Sequence, residues 1–253
     1  MKALITGASS GIGRDMARNL SKQGYDLILV ARRTDRLEEL KKELKTNVQI
    51  ISADLSKEGA CIDLHEQVKN ENIDVLINNA GFGVFGAFDE ADLREELRMI
   101  DTNIKAVHIL MKLFLKDFKA RNSGYILNVA SSAAFLPGPL FSSYYASKAY
   151  VLRLTQAVYE ELQKAGSKVH VSALCPGPVC TEFDTTANVS FSLKGLDSRF
   201  VADYALKKMF QNKLVIVPGA TMKCAHFFER FVSDKQLLHF AYKAQKSKES
   251  QAK

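Results

Sequence analysis

Hydrophobic positions along the chain follow two alternating patterns. Short, nearly continuous apolar runs are separated by longer segments with apolar residues at positions i, i+3 and i+4. The runs are KALIT (2–6), DLILVA (26–31), VQIISA (48–53), DVLINN (74–79), GYILNVA (124–130), KVHVSALC (168–175) and KLVIVP (213–218). The first pattern predicts strands and the second predicts helices, so the chain is expected to repeat β-α-β units.

The apolar runs indicate strands that are buried on both faces, because a strand with one face in water alternates apolar and polar residues. We therefore predict a single α/β domain over residues 1–253, with a Rossmann-type, doubly wound, seven-stranded parallel sheet flanked by helices. The length also allows an eight-stranded barrel. A glycine-rich turn after the first run favours the open sheet over the barrel.

Two regions are expected to depart from the regular core. Residues 176–197 contain no clear element, and long loops in compact domains tend to be functional, so we predict a substrate loop region over 176–212. Residues 243–253 are predicted to form a disordered basic tail. Five lysines oppose two acidic residues between Asp234 and Lys253.

Composition and charge narrow the class of protein. Apolar residues make up 47% and charged residues 25% of the chain, and no apolar run approaches the ~18 residues of a membrane span. The first residues enter a strand at once, which leaves no room for a signal peptide, so we predict a cytoplasmic protein without stable membrane insertion. The net charge is +7, but basic and aromatic residues do not interleave, so no nucleic-acid partner is expected.

The cysteines do not form a metal-binding pattern. Cys175 and Cys180 have a C-x4-C spacing, but no further cysteine or histidine lies near them in the sequence. Cys61 and Cys224 are isolated. We predict four reduced thiols and no metal site.

A glycine cluster, TGASSGIG (6–13), lies between the first strand and a helix expected to begin near Arg14. Gly7 lets the chain turn off the strand, Gly11 lets the backbone approach a pyrophosphate, and Gly13 lets the helix pack closely on the sheet. This context favours a dinucleotide site. A turn that merely requires glycine is the alternative.

The second strand ends at Arg32 and Arg33, where a site for NAD usually carries an acidic residue. A guanidinium group at this position suits the 2′-phosphate of NADP, because its donors match phosphate oxygens and it stays charged. We therefore predict NADP(H) as the cofactor. Alternatively, both arginines only begin the charged helix RRTDRLEELKKELK.

Three motifs occur in a characteristic order: TGASSGIG, NNAG (78–81) and YYASK (144–148). With them the chain resembles the short-chain dehydrogenase/reductase family over nearly its whole length, and most of all its NADP-preferring bacterial carbonyl reductases. The resemblance implies a coenzyme site made of Gly7, Ser9, Ser10, Gly11, Ile12, Gly13, Arg32, Arg33, Asp54, Leu55, Asn79, Ala80, Gly81, Tyr144, Lys148, Pro176, Gly177, Val179 and Thr181.

The family resemblance implies a catalytic Tyr-x-x-x-Lys pair, here Tyr144 and Lys148, with a serine thirteen residues before the tyrosine, here Ser131. Tyr145 stands at the same distance from Ser132, so the serine spacing alone leaves two candidates. The lysine favours Tyr144, since residues i and i+4 share one face of a helix. Tyr145 and Tyr150 are then predicted to pack.

Reduction of a ketone needs a hydride for carbon and a proton for oxygen. An ordinary tyrosine has a pKa of ~10, so bringing this pKa near neutrality, a fall of ~3 units, would require ~4 kcal/mol of stabilisation of the phenolate. We expect the Lys148 ammonium to supply part of this stabilisation and the positive charge of oxidised nicotinamide to supply more. Ser131 would hydrogen-bond the substrate oxygen. By resemblance, the catalytic Asn103 would hold a water between the lysine and solvent.

These observations predict an NADPH-dependent reductase of a largely apolar carbonyl compound, or an NADP-dependent dehydrogenase that oxidises the matching alcohol in the reverse reaction. Two alternatives stay open: a 3-ketoacyl thioester reductase, and a non-catalytic NADP(H) sensor on the same fold. The substrate pocket is expected between the turn after Gly81, the segment after Ser131 and the loop 176–197. Its predicted lining is Phe85, Phe135, Leu136, Phe141 and Phe183.

The resemblance implies a homodimer or homotetramer that assembles through helices near 89–119 and 142–162. The aromatic segment AHFFERFVSDKQLLHFAY (225–242) has three alternative predicted roles. We favour the first, in which the segment caps the core of its own subunit. In the other two, it covers a contact between subunits or binds anionic lipid.

Overall fold

A computed structural model describes residues 1–183 and 195–249 of the chain. Its seven strands form one sheet, and every neighbouring pair is parallel. The strands are β1 (Lys2–Thr6), β2 (Asp26–Ala31), β3 (Val48–Ser52), β4 (Val75–Asn78), β5 (Gly124–Val129), β6 (Val169–Leu174) and β7 (Val215–Ile216). The predicted seven-stranded parallel sheet is confirmed, and the barrel alternative is wrong.

Helices cover the two faces of this sheet. They are α1 (Gly11–Lys22), α2 (Thr34–Glu43), α3 (Glu58–Val68), α4 (Leu93–Ile100), α5 (Val107–Ala120), α6 (Ser142–Lys164), α7 (Ser198–Phe210), α8 (Ala220–Phe228) and α9 (Asp234–Glu249). A π-helical turn, Asp101–Ala106, joins α4 to α5, and short 3₁₀ turns span Ser132–Phe135 and Glu229–Phe231.

Successive residues of one strand enter different cores, because side chains alternate between the faces of a sheet. Ile5 packs in the core that α1, α2 and α7 cover, whereas Leu4 packs in the core under α3 and α5. Both side chains are fully buried. Burial on two faces explains why the strands read as unbroken apolar runs.

The strand order is β3-β2-β1-β4-β5-β6-β7. The chain runs outward from β1 to β3 and then returns to the other side of β1 with β4. Loops therefore diverge above the carboxyl ends of β1 and β4, and a crevice opens between them. The glycine turn and the NNAG segment lie at this edge.

The predicted substrate loop region, 176–212, is largely helical in its second half, and its contact with substrate stays a prediction. Residues 198–210 form α7, whose buried residues Val201, Ala202, Ala205 and Leu206 pack toward α1. Asp197 begins the helix by accepting hydrogen bonds from two backbone amides of its first turn. The middle of the region, 184–194, lies outside the described residues.

The C-terminal segment differs from two expectations. Helix α9 continues to Glu249, so the predicted disorder is wrong for residues 243–249, while 250–253 lie outside the described residues. The aromatic side chains do not cap the core. Phe227, Phe228, Phe231 and Phe240 are each 56–74% exposed. No helix in the described part of the chain is both long and apolar enough to cross a membrane.

Candidate active site

The glycine turn has the backbone geometry that requires glycine. Gly7 and Gly11 have φ angles of 65° and 55°, in the left-handed region. A Cβ on Gly7 would lie 2.8 Å from the Ala80 Cα atom, and one on Gly11 would lie 3.0 Å from the Thr181 Cγ2 atom. The turn is thus in close contact with the segments that follow β4 and β6.

Helix α1 begins at Gly11, three residues earlier than expected, and its N-terminus faces the crevice. Within the described chain, no side chain caps this terminus, and its first turn carries no acidic residue. Free amides and the positive end of the helix dipole suit a pyrophosphate. Gly13 does not line the crevice. A Cβ there would lie 2.7 Å from the Gly7 carbonyl oxygen, so its role is packing.

Asn79 holds the turn in place. Its side-chain amide donates hydrogen bonds to the carbonyl oxygens of Thr6 (3.0 Å) and Gly7 (3.1 Å). The Thr6 hydroxyl oxygen in turn accepts from the backbone amides of Asn79 and Ala80, each at 3.0 Å. These bonds join the ends of β1 and β4. Sequence reasoning did not identify Thr6, although a hydroxyl directly before the glycine cluster was visible.

Arg33 lies at the carboxyl end of β2 and reaches over the glycine turn. Its guanidinium group donates to the hydroxyls of Ser9 (3.2 Å) and Ser10 (3.0 Å) and pairs with Glu182. Arg32 also lines the crevice. A guanidinium group beside two hydroxyls fits the 2′-phosphate that the sequence predicted here.

Asp54 lies after β3, on the same side of the crevice. Its burial would raise the pKa of this carboxyl, but hydrogen bonds from Ser56 and the charge of Arg32 bring the pKa below its ordinary value. Asp54 Oδ1 accepts from the Ser56 amide (3.2 Å) and hydroxyl (2.9 Å). The carboxylate is therefore fixed and ionised at one of the positions predicted to contact the coenzyme.

The structure brings Ser131, Tyr144 and Lys148 together at the centre of the crevice. Helix α6 buries both Tyr144 and Lys148, whose exposed fractions are 8% and 5%. The Lys148 ammonium donates to the Val129 carbonyl oxygen (2.9 Å) and lies 5.7 Å from the centre of the Tyr144 ring. Ser131 hydrogen-bonds the Tyr144 hydroxyl. The i, i+4 argument is thus confirmed in its geometry, because the ring beside the lysine belongs to Tyr144.

Burial shifts the pKa of two groups in this cluster. Burial raises the pKa of Tyr144 above its ordinary value, and the Ser131 hydrogen bond only partly opposes this. Burial also lowers the pKa of Lys148, to about 8. The Lys148 ammonium lies 5.7 Å from the centre of the Tyr144 ring, and the lowering of the tyrosine pKa by this charge and by oxidised nicotinamide stays a prediction.

Asn103 lies in the π-helical turn and is fully buried. Its oxygen accepts from the Phe82 amide (3.1 Å), and its nitrogen donates to the Phe82 carbonyl (2.9 Å) and the Ser147 hydroxyl (3.0 Å). It therefore joins the segment after β4 to α6, next to Lys148. Asn103 does not itself line the crevice among the described residues. π-Helical turns are often found at functional sites.

The crevice has a volume of about 520 Å³ and is aromatic at its inner end. The Phe141 ring stacks on Tyr144 at 4.5 Å, and the Phe183 ring lies 5.3 Å from Tyr144. Three predicted lining residues, Phe85, Phe135 and Leu136, are not part of the wall formed by the described residues. Phe85 packs behind Phe141, and Phe135 stacks on His226.

Several lining residues were not expected from the sequence. Tyr145 contributes to the wall, and its hydroxyl accepts a hydrogen bond from Gln245 of α9 (2.5 Å). Met222 of α8 and Glu182 also line the crevice. No local pattern marks Gln245, since it lies 100 residues from Tyr145. The described residues contain no group of three or more metal-ligating side chains.

Comparison with known proteins identifies the family. The family model for short chain dehydrogenases matches residues 1–190. The NADP-dependent 3-hydroxy acid dehydrogenase of Escherichia coli is 33% identical over 222 residues, which cover 86% of this chain and 84% of that protein. The chain therefore belongs to the short-chain dehydrogenase/reductase family and is an oxidoreductase that acts on CH–OH groups.

Solved structures agree with this assignment. A short-chain dehydrogenase from Sphingobium yanoikuyae in complex with NADPH has a TM-score of 0.81 and 32% identity, over 87% of this chain and 88% of that one. The bulky-bulky ketone specific alcohol dehydrogenase from Comamonas testosteroni has a TM-score of 0.78 and 30% identity, over 90% and 91%. The fold alone does not select the cofactor, because a chain from Burkholderia phymatum, 24% identical, was solved with NAD.

Proposed function

We propose that this protein is an NADP(H)-dependent carbonyl reductase, which converts a ketone or aldehyde to an alcohol or runs in reverse. One observation carries the proposal: Ser131, Tyr144 and Lys148 meet in the crevice that the glycine turn also lines. A hydroxyl pair and an amine at a dinucleotide site are suited to proton transfer beside a hydride donor. The 3-hydroxy acid and ketone enzymes among the relatives support this reaction class.

In this mechanism the glycine turn and Arg33 would hold the coenzyme, which would supply or accept the hydride. The Ser131 hydroxyl holds the substrate oxygen and stabilises the negative charge that develops there. The Tyr144 hydroxyl gives its proton to that oxygen, and the reverse reaction returns it. Lys148, oriented by the Val129 carbonyl oxygen, provides a positive charge near the phenol when it is protonated. The aromatic wall excludes water from the reacting atoms.

The cofactor is proposed to be NADP(H). Arg33 with Ser9 and Ser10 offers donors for a 2′-phosphate, and Arg32 adds a second charge. A relative that is NADP-dependent and a structure with NADPH support this choice. Four further predicted coenzyme contacts, Leu55, Pro176, Gly177 and Val179, line the same crevice.

The substrate is proposed to be largely apolar. Its end of the crevice is formed by Phe82, Phe141, Tyr145, Phe183 and Met222, and aromatic walls favour bulky apolar groups. Three predictions from the sequence stay untested: a 3-ketoacyl thioester as the alternative substrate, a homo-oligomeric state and a cytoplasmic location. The sensor alternative predicts that NADPH binds without turnover of any carbonyl substrate.

Replacing Tyr144 tests the proposal. Tyr144→Phe removes the proton donor and leaves the ring, so we expect turnover to fall by ~10²-fold or more while NADPH affinity changes little. The assay follows NADPH absorbance with a panel of ketones, acyl thioesters and sugars. NADPH affinity is measured separately by fluorescence titration.

Tyr145→Phe is the matched control, because it removes a hydroxyl from the neighbouring tyrosine in the same pocket. It keeps the Tyr144 proton donor, so we expect turnover to fall far less than in Tyr144→Phe. Loss of activity in Tyr145→Phe with activity kept in Tyr144→Phe would contradict the assignment.

A further inference from the structure

Glu182 forms ion pairs across the mouth of the crevice. Its carboxylate forms one ion pair with Arg33, at 2.9 Å, and another with Arg36. The glutamate follows β6, whereas both arginines lie at the start of α2, almost 150 residues earlier in the chain. These pairs bring a negative group to the place where a coenzyme phosphate is expected.

The carboxylate uses donors that a 2′-phosphate would need. One terminal nitrogen of Arg33 binds Glu182, and the other binds the Ser9 and Ser10 hydroxyls. Hydrogen bonds from Arg33 and Arg36 lower the pKa of Glu182, so it is ionised at neutral pH. A phosphate group carries more negative charge and more acceptor oxygens than a carboxylate. The two anions would therefore compete for the same guanidinium group.

Glu182 also belongs to a segment that reaches the rest of the site. Thr181 lies over Gly11, where a Cβ would come within 3.0 Å of the Thr181 Cγ2 atom. The ring of Phe183 lies 5.3 Å from the ring of Tyr144. Three consecutive residues thus contact the glycine turn, the α2 arginines and the catalytic tyrosine. An anion that displaces Glu182 therefore changes the contacts of residues 181–183, which also line the substrate end of the crevice.

We propose that Glu182 is an internal competitor for the 2′-phosphate site and thereby determines how strongly the protein prefers NADP(H) over NAD(H). This inference rests on the proposed NADP(H) site. NADPH must separate Glu182 from Arg33 before its phosphate binds, whereas NADH leaves the ion pairs in place. Glu182 therefore weakens NADPH binding selectively.

Neutralising the carboxylate tests the inference. Glu182→Gln keeps the size of the side chain and removes its charge, so we expect the Kd for NADPH to fall about fivefold, as two partly exposed ion pairs allow. The Kd for NADH should change less than twofold. Fluorescence titration with NADPH and NADH measures both constants, and adenosine 2′-monophosphate serves as a probe of the phosphate site alone.

Two comparisons separate this effect from general electrostatics. Glu39→Gln makes the same change of charge on the exposed part of α2 and should leave the NADPH preference unaltered. In a protein that already carries Arg33→Met and Arg36→Met, Glu182→Gln should have no further effect on either coenzyme.

The outcomes distinguish the two proposals. If Glu182→Gln leaves the Kd for NADPH within twofold of the original protein, or if Glu39→Gln lowers it equally, the inference about Glu182 is overturned even though NADPH binds. If neither Arg33→Met nor Arg36→Met weakens NADPH binding, the NADP(H) assignment is itself wrong, and the inference falls with it.

Discussion

Lys148 is an amine that the fold holds almost out of contact with water. Only 5% of its surface is exposed, and burial lowers its pKa from 10.5 to about 8. The Val129 carbonyl oxygen accepts a hydrogen bond from the ammonium, and the Tyr144 ring lies beside it. Holding a proton at this position near pH 7 costs free energy, because burial disfavours the charged form of the amine.

This cost predicts a pH-dependent stability. Between pH 8 and 10.5 the unfolded chain binds the lysine proton more tightly than the folded one, so the free energy of unfolding rises with pH over this interval. We expect Lys148→Met to be more stable than the original protein below pH 8, by about 3 kcal/mol. The difference should disappear near pH 10.5.

Urea unfolding of both proteins at pH steps from 6.5 to 10.5 measures the difference directly. A stability difference that stays constant over this range would contradict the buried charge. Turnover, measured in parallel, should fall in Lys148→Met at every pH.

At the scale of elements, a buried polar network fixes α6 to the sheet. The Asn78 amide of β4 donates to Asn128 of β5 at 2.9 Å, and the Asn128 amide donates to the Thr155 hydroxyl at 2.9 Å. Thr155 lies on α6, two to three turns after Tyr144 and Lys148. The network therefore positions the helix that carries both residues relative to the strands at the crevice.

Removing the Thr155 hydroxyl tests this network. Thr155→Val keeps the shape of the side chain but removes the hydroxyl that accepts a hydrogen bond from the buried Asn128 amide. We therefore expect the free energy of unfolding to fall by about 1–3 kcal/mol. Thr155→Ser keeps the hydroxyl and is the control, with a smaller loss from the missing methyl group. Equal losses in the two variants would show that packing, and not the hydrogen bond, is responsible. Denaturant unfolding gives both values.

At the scale of the whole molecule, the proposed assembly involves exposed apolar side chains. Leu93 and Leu97 of α4 are 66% and 51% exposed, and Tyr150 of α6 is also exposed. These helices lie in the two regions that the family resemblance connected with assembly. Exposed apolar residues on neighbouring helices fit a contact between identical subunits.

A charge on this surface should separate the subunits. We expect the protein to elute as a dimer or tetramer in size-exclusion chromatography with light scattering, and Leu97→Glu to shift it to the monomer. Phe231→Glu changes an even more exposed apolar residue of the C-terminal segment and is expected to leave the assembly intact. Dissociation by Phe231→Glu alone would move the interface to the C-terminal aromatic surface.

Much of the fold was predictable, because it depends on local patterns. The unbroken apolar runs located all seven strands, although β7 is only two residues long where six were expected. Helix α7 was missed since its buried residues follow a region without a pattern. In the site, the glycine spacing and the i, i+4 relation identified the turn and the Tyr144–Lys148 pair.

The sequence by itself determined which segments become strands, where the chain must turn on glycine, and which tyrosine shares a helix face with the lysine. Only the tertiary structure decided that Glu182 meets Arg33 and that Gln245 meets Tyr145. It also decided that burial raises the pKa of Tyr144. The reason is physical: periodicity and backbone geometry act over a few residues, whereas ion pairing and desolvation depend on how distant segments pack.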